Sequence, residues 1–340
     1  LKRTSKGASG TINTELSFES HEKLVLAALG ADVSVGFPDA SSTSNSGTFD
    51  ATASTGKLEG TSIDDGLAVG DLVRATGFTN AEINRYYIVT ATAADEITVD
   101  PPPAADETGA GTQVITKQDG VTNGVLTNSF SLEEIKNDMT TAIDKFMNGT
   151  GFMVGQWGVS IERGSIISQT FDVTGQAFDP NASSIAGTPT AASTSNPMGP
   201  VDEIVGLTFG ALGASADIDV QSVSWQVNPN IRPIRNLGEL SPTDMNHGKF
   251  EVTGTMNAYW VDSSLLKRFT DFDDDITFAF LVRDENGQGY LVYLPRIRMS
   301  EGGATPEGES SDIVTQVSFT AIRSTTLGYT MAVFKIDESS

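Results

Sequence analysis

Side chains able to carry covalent or metal chemistry are few in this sequence. His21 and His247 are the only histidines, and cysteine is absent. That removes thiolate nucleophiles, disulfides and Cys-ligated zinc or iron from consideration. A His-based triad or a two-His metal site would need the fold to join two positions separated by most of the chain, so the simpler expectation is two surface histidines. Asp271, Asp273 and Asp275 imitate the opening of a calcium loop, but Ile276 stands where the turn glycine is needed and Val282 where the bidentate glutamate belongs. Gly149-Thr150-Gly151 lacks the third glycine of a dinucleotide fingerprint, and Gly56-Lys57 runs into Leu58 instead of Ser or Thr, so neither phosphate loop is formed. Carboxylates are abundant, yet nothing singles out two of them as a glycosidase dyad. No catalytic residue, metal site or cofactor is therefore expected, and the chain reads as something other than an enzyme.

The charge balance is informative in another way. Asp and Glu number 44 against 21 Lys and Arg, for a net charge of −23 over 340 residues. A surface this acidic repels nucleic acid phosphates, which disfavours a DNA-binding role, and at minimum it keeps the protein soluble. The apolar content of 38% still supports a packed core in a chain of this length. No run of about 18 apolar residues occurs, and Leu1 to Gly10 is polar and basic, so neither membrane insertion nor Sec export is expected.

The elements that must position any site are mostly strands. Gly 34 and Pro 13, with Ser, Thr and Ala tracts around them, fit short strands joined by turns. Leu1 to Phe18 reads as an extended arm. Ser20 precedes His21–Leu29, a short helix whose apolar face is Leu24, Val25, Ala28 and Leu29, stopped by Gly30. Asp39–Lys57 reads as loop or weak hairpin. Residues 47–116 make an inserted β module, with strands at Leu72–Thr76, Tyr86–Thr92 and Glu96–Asp100, and Gln113–Lys117 returning the chain to the main body.

In the main body, Phe130–Ile135 reads as a strand and Asp138–Met147 as a short helix through Met139, Ile143, Phe146 and Met147, broken at Asn148–Gly151. Strands are expected at Met153–Glu162, Gln169–Phe178, Val220–Asn228, Lys249–Trp260, Ile276–Arg283, Gly289–Pro295, Arg296–Ser300, Asp312–Arg323 and Met331–Ile336. A brief helix capped by Asp262 and a loop at Glu301–Ser311 complete the pattern, and Asn286-Gly287 marks a tight hairpin. The fold class is mainly β, with segments 1–46 (arm and helix), 47–116 (inserted small β-barrel-like domain) and 117–340 (β-sandwich core with a long loop, 179–200).

Phe171-Asp172-Val173-Thr174-Gly175 recurs as Phe250-Glu251-Val252-Thr253-Gly254, each after a similar strand, Val159-Ser160-Ile161-Glu162 and Val223-Ser224-Trp225-Gln226. The pattern points to a duplicated strand pair. Side chains in a strand alternate between its faces. Trp157, Val159, Ile161, Phe171, Val173, Val223, Trp225, Val227, Phe250 and Val252 then fall on the packed side. Ser160, Glu162, Asp172, Thr174, Ser224, Gln226, Glu251 and Thr253 fall on the other, a polar face without Lys or Arg. Such a face is either an ordinary solvated surface or a specialised one.

Several stretches resemble the tail tube proteins of siphophages. Lys6-Gly7-Ala8-Ser9-Gly10 with Ile12-Asn13-Thr14-Glu15 resembles the opening arm of that family. Asn257–Phe269 is similar to its strand-to-helix passage and Tyr290–Arg298, centred on Leu294-Pro295-Arg296, to its late strand. Gly70-Asp71, Gly77-Phe78-Thr79-Asn80 and Asn84 resemble an inserted module that these proteins often carry, whereas Lys136–Met147 matches the family poorly.

The resemblance implies a tail-tube-type β-sandwich or barrel subunit that closes into homo-hexameric rings. These rings stack into a conduit, assembled in the host cytoplasm and carried in the virion tail. Partners implied are the tape measure, tail tip and tail terminator proteins, with double-stranded DNA in transit and not specifically bound. Four lumen strands per subunit would give a barrel of about 24 strands and a backbone diameter of nearly 50 Å, wide enough for a duplex. The eight polar-face residues would line this bore, with Glu162, Asp172 and Glu251 as its carboxylates. The arm 1–18 and the loop 179–200 are expected to reach neighbouring subunits. Two other readings remain open: a receptor- or carbohydrate-binding β-sandwich, and a secretion-system tube subunit.

Overall fold

The computed structural model describes residues 6–33, 37, 43–125, 128–137, 144–181, 183–187, 191, 193–199, 204–209, 220–259, 276–305 and 314–337. Among these residues the protein is mainly β with one helix. The chain opens with β1 (Ala8–Glu15) and α1 (Glu22–Leu29), then places β2 (Ser44–Gly47), β3 (Asp50–Thr52), β4 (Lys57–Glu59), β5 (Leu72–Thr76), β6 (Tyr86–Ala93), β7 (Glu96–Asp100) and β8 (Gln113–Lys117) in a separate seven-stranded sheet. After β9 (Asp119–Thr122) come β10 (Phe130–Asn137), β11 (Asp144–Glu162), β12 (Ser168–Gly175), β13 (Ala177–Asn181), β14 (Ile204–Phe209) and β15 (Val220–Asn228). The remaining strands are β16 (Arg232–Ile234), β17 (Asp244–Asn246), β18 (Glu251–Tyr259), β19 (Ile276–Arg283), β20 (Gln288–Thr305), β21 (Val314–Ala321) and β22 (Ala332–Asp337).

The principal sheet runs β1-β12-β11-β15-β18-β21-β20-β19-β14, with neighbours antiparallel. It folds over on itself at β20. The first part of that long strand pairs with β19 and β22, and its last part with β21. One strand thus belongs to both layers of a sandwich, as strands do at the corners of packed sheets.

The period-2 pattern accounts for what lies between the layers. Trp157, Val159, Ile161, Phe171, Val173, Val223, Trp225, Val227 and Val252 are buried, while Phe250 packs against them half-covered. From the opposite layer Phe278 and Phe280 meet Trp225, with ring centroids 6.3 and 5.6 Å away, and Phe278 lies 5.3 Å from Phe319. Aromatic pairs at these distances add to the transfer free energy of the buried surface. Helix α1 packs against β11 and β15 through Val25, Leu26, Ala27, Ala28 and Leu29. Gly30 ends it at a left-handed φ of 65°, a conformation in which glycine carries no Cβ penalty.

The seven-stranded sheet has a core of its own around Phe49, Leu58, Ile83, Tyr87 and Ile97. It also meets the sandwich, where Leu72 and Ile88 bury against Ala279, Leu291, Tyr293 and Phe334. Tyr86 lies between the guanidinium groups of Arg74 and Arg283, 5.9 and 5.5 Å from its ring centre.

Several expectations need correction. Asp144–Met147 is not the end of a helix but the start of β11, which continues through Asn148–Gly151; residues 138–143 lie outside those described. The helical spacing is overridden because this stretch pairs on both sides, with β10 and β13. Residues 301–305, expected as loop, extend β20 against β21. The extended arm is a strand over Ala8–Glu15, paired along its length with β12 of the same chain. The described part of the 179–200 loop likewise folds onto its own chain. Asp179–Asn181 belong to β13, Met198 is buried, and its amide donates to the Leu16 carbonyl at 2.8 Å. The helix expected after Asp262 and the Asp271, Asp273 and Asp275 cluster lie outside the described residues.

The histidines are not surface groups either. Both are partly buried, and His21 Nδ1 and His247 Nε2 find no hydrogen-bond partner among the described residues. Burial lowers both imidazole pKa values. His21 precedes α1, whereas His247 lies beside Gly30 at its far end. Eight helical residues, about 12 Å, keep them from sharing a site. Among the described residues, no group of three His, Asp or Glu side chains is placed to hold a metal.

Candidate functional site

The feature that stands out is a face, not a pocket. The strands β12, β11, β15 and β18 lie side by side, and their register aligns the polar positions in rows. Ser160 faces Ser224, which faces Thr255; Gln226 faces Thr253; Asn228 faces Glu251; Gln156 faces Asp172. Ser160, Glu162, Asp172, Thr174, Ser224, Gln226, Glu251 and Thr253 all sit on the side opposite the buried residues, half-exposed or exposed. The structure therefore gathers all eight on a single sheet surface.

That surface is wider than the repeat suggests. On one side β1 adds Ser9, Thr11, Asn13 and Glu15, opposite Thr174, Asp172, Thr170 and Ser168. On the other, β21 adds Gln316, Ser318 and Thr320, opposite Asn257, Thr255 and Thr253. The signal was present in the alternation of Ser9-Gly10-Thr11-Ile12-Asn13-Thr14-Glu15, but an arm not assigned to this sheet has no face to alternate about. The surface is concave. One depression crosses β12, β11, β15, β18 and β21 from Thr170 to Thr320, and a second contains Asp172, Thr174, Arg232, Lys249 and Glu251.

Its polar groups are tied largely to one another across strands, the sheet counterpart of helical side-chain pairing. Thr11 Oγ1 donates to Asp172 Oδ1 at 2.6 Å, Thr170 Oγ1 to Asn13 Oδ1 at 3.2 Å, and Asn257 Nδ2 to Ser222 Oγ at 2.9 Å. The Ser224 and Thr255 hydroxyls lie 2.8 Å apart. Along β1 and β12, and over residues 156–162 of β11, 222–228 of β15, 251–257 of β18 and 316–320 of β21, the outward positions carry Ser, Thr, Asn, Gln and Gly, with Glu15, Glu162, Asp172 and Glu251 as the charged members and no Lys or Arg. Cations flank this stretch, and Arg232 lines the second depression together with Asp172 and Glu251. Arg163 follows Glu162 in the turn after β11, Arg298 lies on β20 opposite Thr320, and Lys249 precedes β18.

Lys249 is bonded to the face, its ammonium 3.0 Å from Glu251 Oε1. Hydrogen bonding and attraction from Lys249 hold the Glu251 carboxyl below the usual glutamate range, because an opposite charge favours the ionised form. The sign follows: a depressed folded pKa contributes above the unfolded value and is lost as pH falls through the folded one. Both side chains are well exposed, so the energy involved is small. Substituting Lys249→Met is expected to raise the Glu251 pKa toward the ordinary value in an NMR titration of the carboxyl carbon. An unmoved midpoint would mean that the pair does not form in solution.

Chemically this surface can do little beyond present hydroxyls, amides and ionised carboxylates. The cations that line its second depression, Arg232 and Lys249, share it with the carboxylates of Asp172 and Glu251. Among the described residues no helix is long and apolar enough to cross a membrane. No curated protein matches the sequence. The model of one family, described as phage tail tube protein, matches residues 1–321. With that match covering nearly its whole length, the chain belongs to the phage tail tube protein family.

Proposed function

We propose that this subunit closes into a hexameric ring of a long, non-contractile siphophage tail, and that stacked rings turn the concave polar face inward as the wall of a DNA conduit. Family membership makes the chain a structural component of the tail tube in the virion. The observation that carries the finer reading is the absence of Lys and Arg from the outward positions where these strands lie side by side, along β1 and β12 and over residues 156–162, 222–228, 251–257 and 316–320.

DNA leaving through a long tube must slide. Cations on the wall would bind phosphates and release counterions, an association that multiplies with each contact. A wall of small polar groups already bonded to each other, with a few carboxylates, removes that adhesion and repels the duplex weakly from all sides. Six copies of β12-β11-β15-β18 make a bore of nearly 50 Å between backbones, estimated from strand spacing and tilt. The flanking β1 and β21 only enlarge it. Assembly would take place in the host cytoplasm, around the tape measure protein and between the tail tip and terminator proteins.

Negative-stain electron microscopy of the purified protein tests this reading. Rings with a central hole, or spontaneous tubes of the same diameter, are expected. A protein that stays monomeric or trimeric at high concentration would instead suit a receptor-binding sandwich.

A further inference from the structure

The strands that carry the polar face end in two projections of opposite placement. Asn228 and Glu251 face each other at one end of the β15–β18 pair, so residues 229–250 extend from that end of the sheet. Glu162 faces Ser222 at the other end, so the turn from β11 to β12 extends the opposite way. Both projections expose large apolar side chains. Leu237 is fully exposed at 105%, Leu240 at 48% and Ile234 at 38%, while Ile166 in the β11–β12 turn is at 51%.

The longer projection is not a loose loop. β16 and β17 pair within it, and the Thr243 amide donates to the Ile234 carbonyl at 2.9 Å. The chain near the N-terminus braces it from outside: the Lys6 amide donates to the Leu240 carbonyl at 2.6 Å and Arg235 Nη1 to the Lys6 carbonyl at 3.1 Å. Apolar groups held outward on an ordered support mark a contact surface, because a mobile loop could fold them back.

We infer that the Leu237 projection of one copy docks on the Ile166 turn of a second copy stacked end to end with it. This rests on the tube reading and adds the contact that joins one ring to the next. A repeating head-to-tail contact needs two different patches at opposite ends of the same molecule, and an arrangement that does not close on itself grows as a filament. The two patches meet that requirement. They share apolar chemistry, and they lie at the two ends of the strands whose length would run along the channel.

The chain has no cysteine, so engineered thiols report contacts without background. Tubes assembled from the double variant Leu237→Cys, Ile166→Cys should give, under mild oxidation, a ladder of disulfide-linked oligomers. An equal mixture of the two single variants should stop at dimers, since each chain then holds one thiol. Leu240→Cys with Ile166→Cys is the second pair. Disulfide geometry demands Cα atoms within about 7 Å, so linkage reports direct apposition. Leu237→Asp should lower the apparent association constant between stacked subunits by about tenfold or more, the size expected for one buried leucine, with single rings persisting in micrographs. Normal tubes that give no linkage from either pair, or that tolerate Leu237→Asp, overturn the docking assignment and leave the tube reading intact. Failure of the unmodified protein to form rings or tubes overturns the tube reading itself.

Discussion

Phage carrying Asp172→Lys with Glu251→Lys should build tails of normal length yet lose infectivity by on the order of a hundredfold or more, because cationic walls bind phosphates through counterion release that accumulates over many contacts. Both positions are on the sheet surface and partly exposed, where a substitution typically changes stability by about 0.5 kcal/mol or less. Assembly should therefore survive. The electrostatic change is large. At Glu251 the carboxylate that now engages Lys249 is lost and a second ammonium appears beside it, while at Asp172 the acceptor for Thr11 becomes a cation. Every ring repeats this, so the duplex meets a periodic series of positive girdles. Plaque counts against particle counts, with tail length measured by electron microscopy, give the result. Isolated variant tubes should also retain duplex fragments at low salt and release them as salt rises. Full infectivity with normal tails would remove these residues from the channel wall.

The largest effect on stability is expected at Trp225. It lies between the sandwich layers, 4% exposed, with Phe278 and Phe280 against its ring. Trp225→Ala should cost about 3–5 kcal/mol, the range for deleting a large aromatic from a core that cannot fully collapse. Against a total stability of about 5–15 kcal/mol, that loss depletes the folded subunit and with it tube yield. Trp225→Phe is the informative contrast. The indole Nε1 has no hydrogen-bond partner among the described residues, so replacing it leaves no new unpaired group and removes one. The phenylalanine variant should then retain most of the stability. Chemical denaturation of the unassembled subunit measures both, and an alanine variant within about 1 kcal/mol of the parent would contradict this placement of the core.

How much of this was legible in the sequence depends on the range of the interaction involved. The sorting of Trp157, Phe171, Trp225 and Val252 from Asp172, Ser224, Gln226 and Thr253 is a local property, since alternation is built into every strand. So is the Asn286-Gly287 turn, where Asp284 Oδ1 accepts from the amides of Asn286 and Gln288. Pairing between distant segments is not local. Nothing within Ala8–Glu15 says that β12 waits for it, and Met147 reads as helical until β10 and β13 flank the strand that contains it. The width of the polar face and the bond from Lys249 to Glu251 depend on such pairings, which is why Thr11, Asn13 and Ser318 escaped a reading based on the repeat alone. The two histidines failed for a related reason: burial is set by what packs over a residue, and for His247 no local apolar pattern signals it.

The central claim is that the face bearing Asp172 and Glu251 forms the inner wall of the assembled tube. A cryo-electron microscopy reconstruction of tubes grown from the purified subunit addresses it most directly. The predicted result is a ring of subunits whose strands β12, β11, β15 and β18 border the central channel, with both carboxylates pointing toward the axis. Density placing those two side chains on the outer surface, or sealed between subunits, would contradict it.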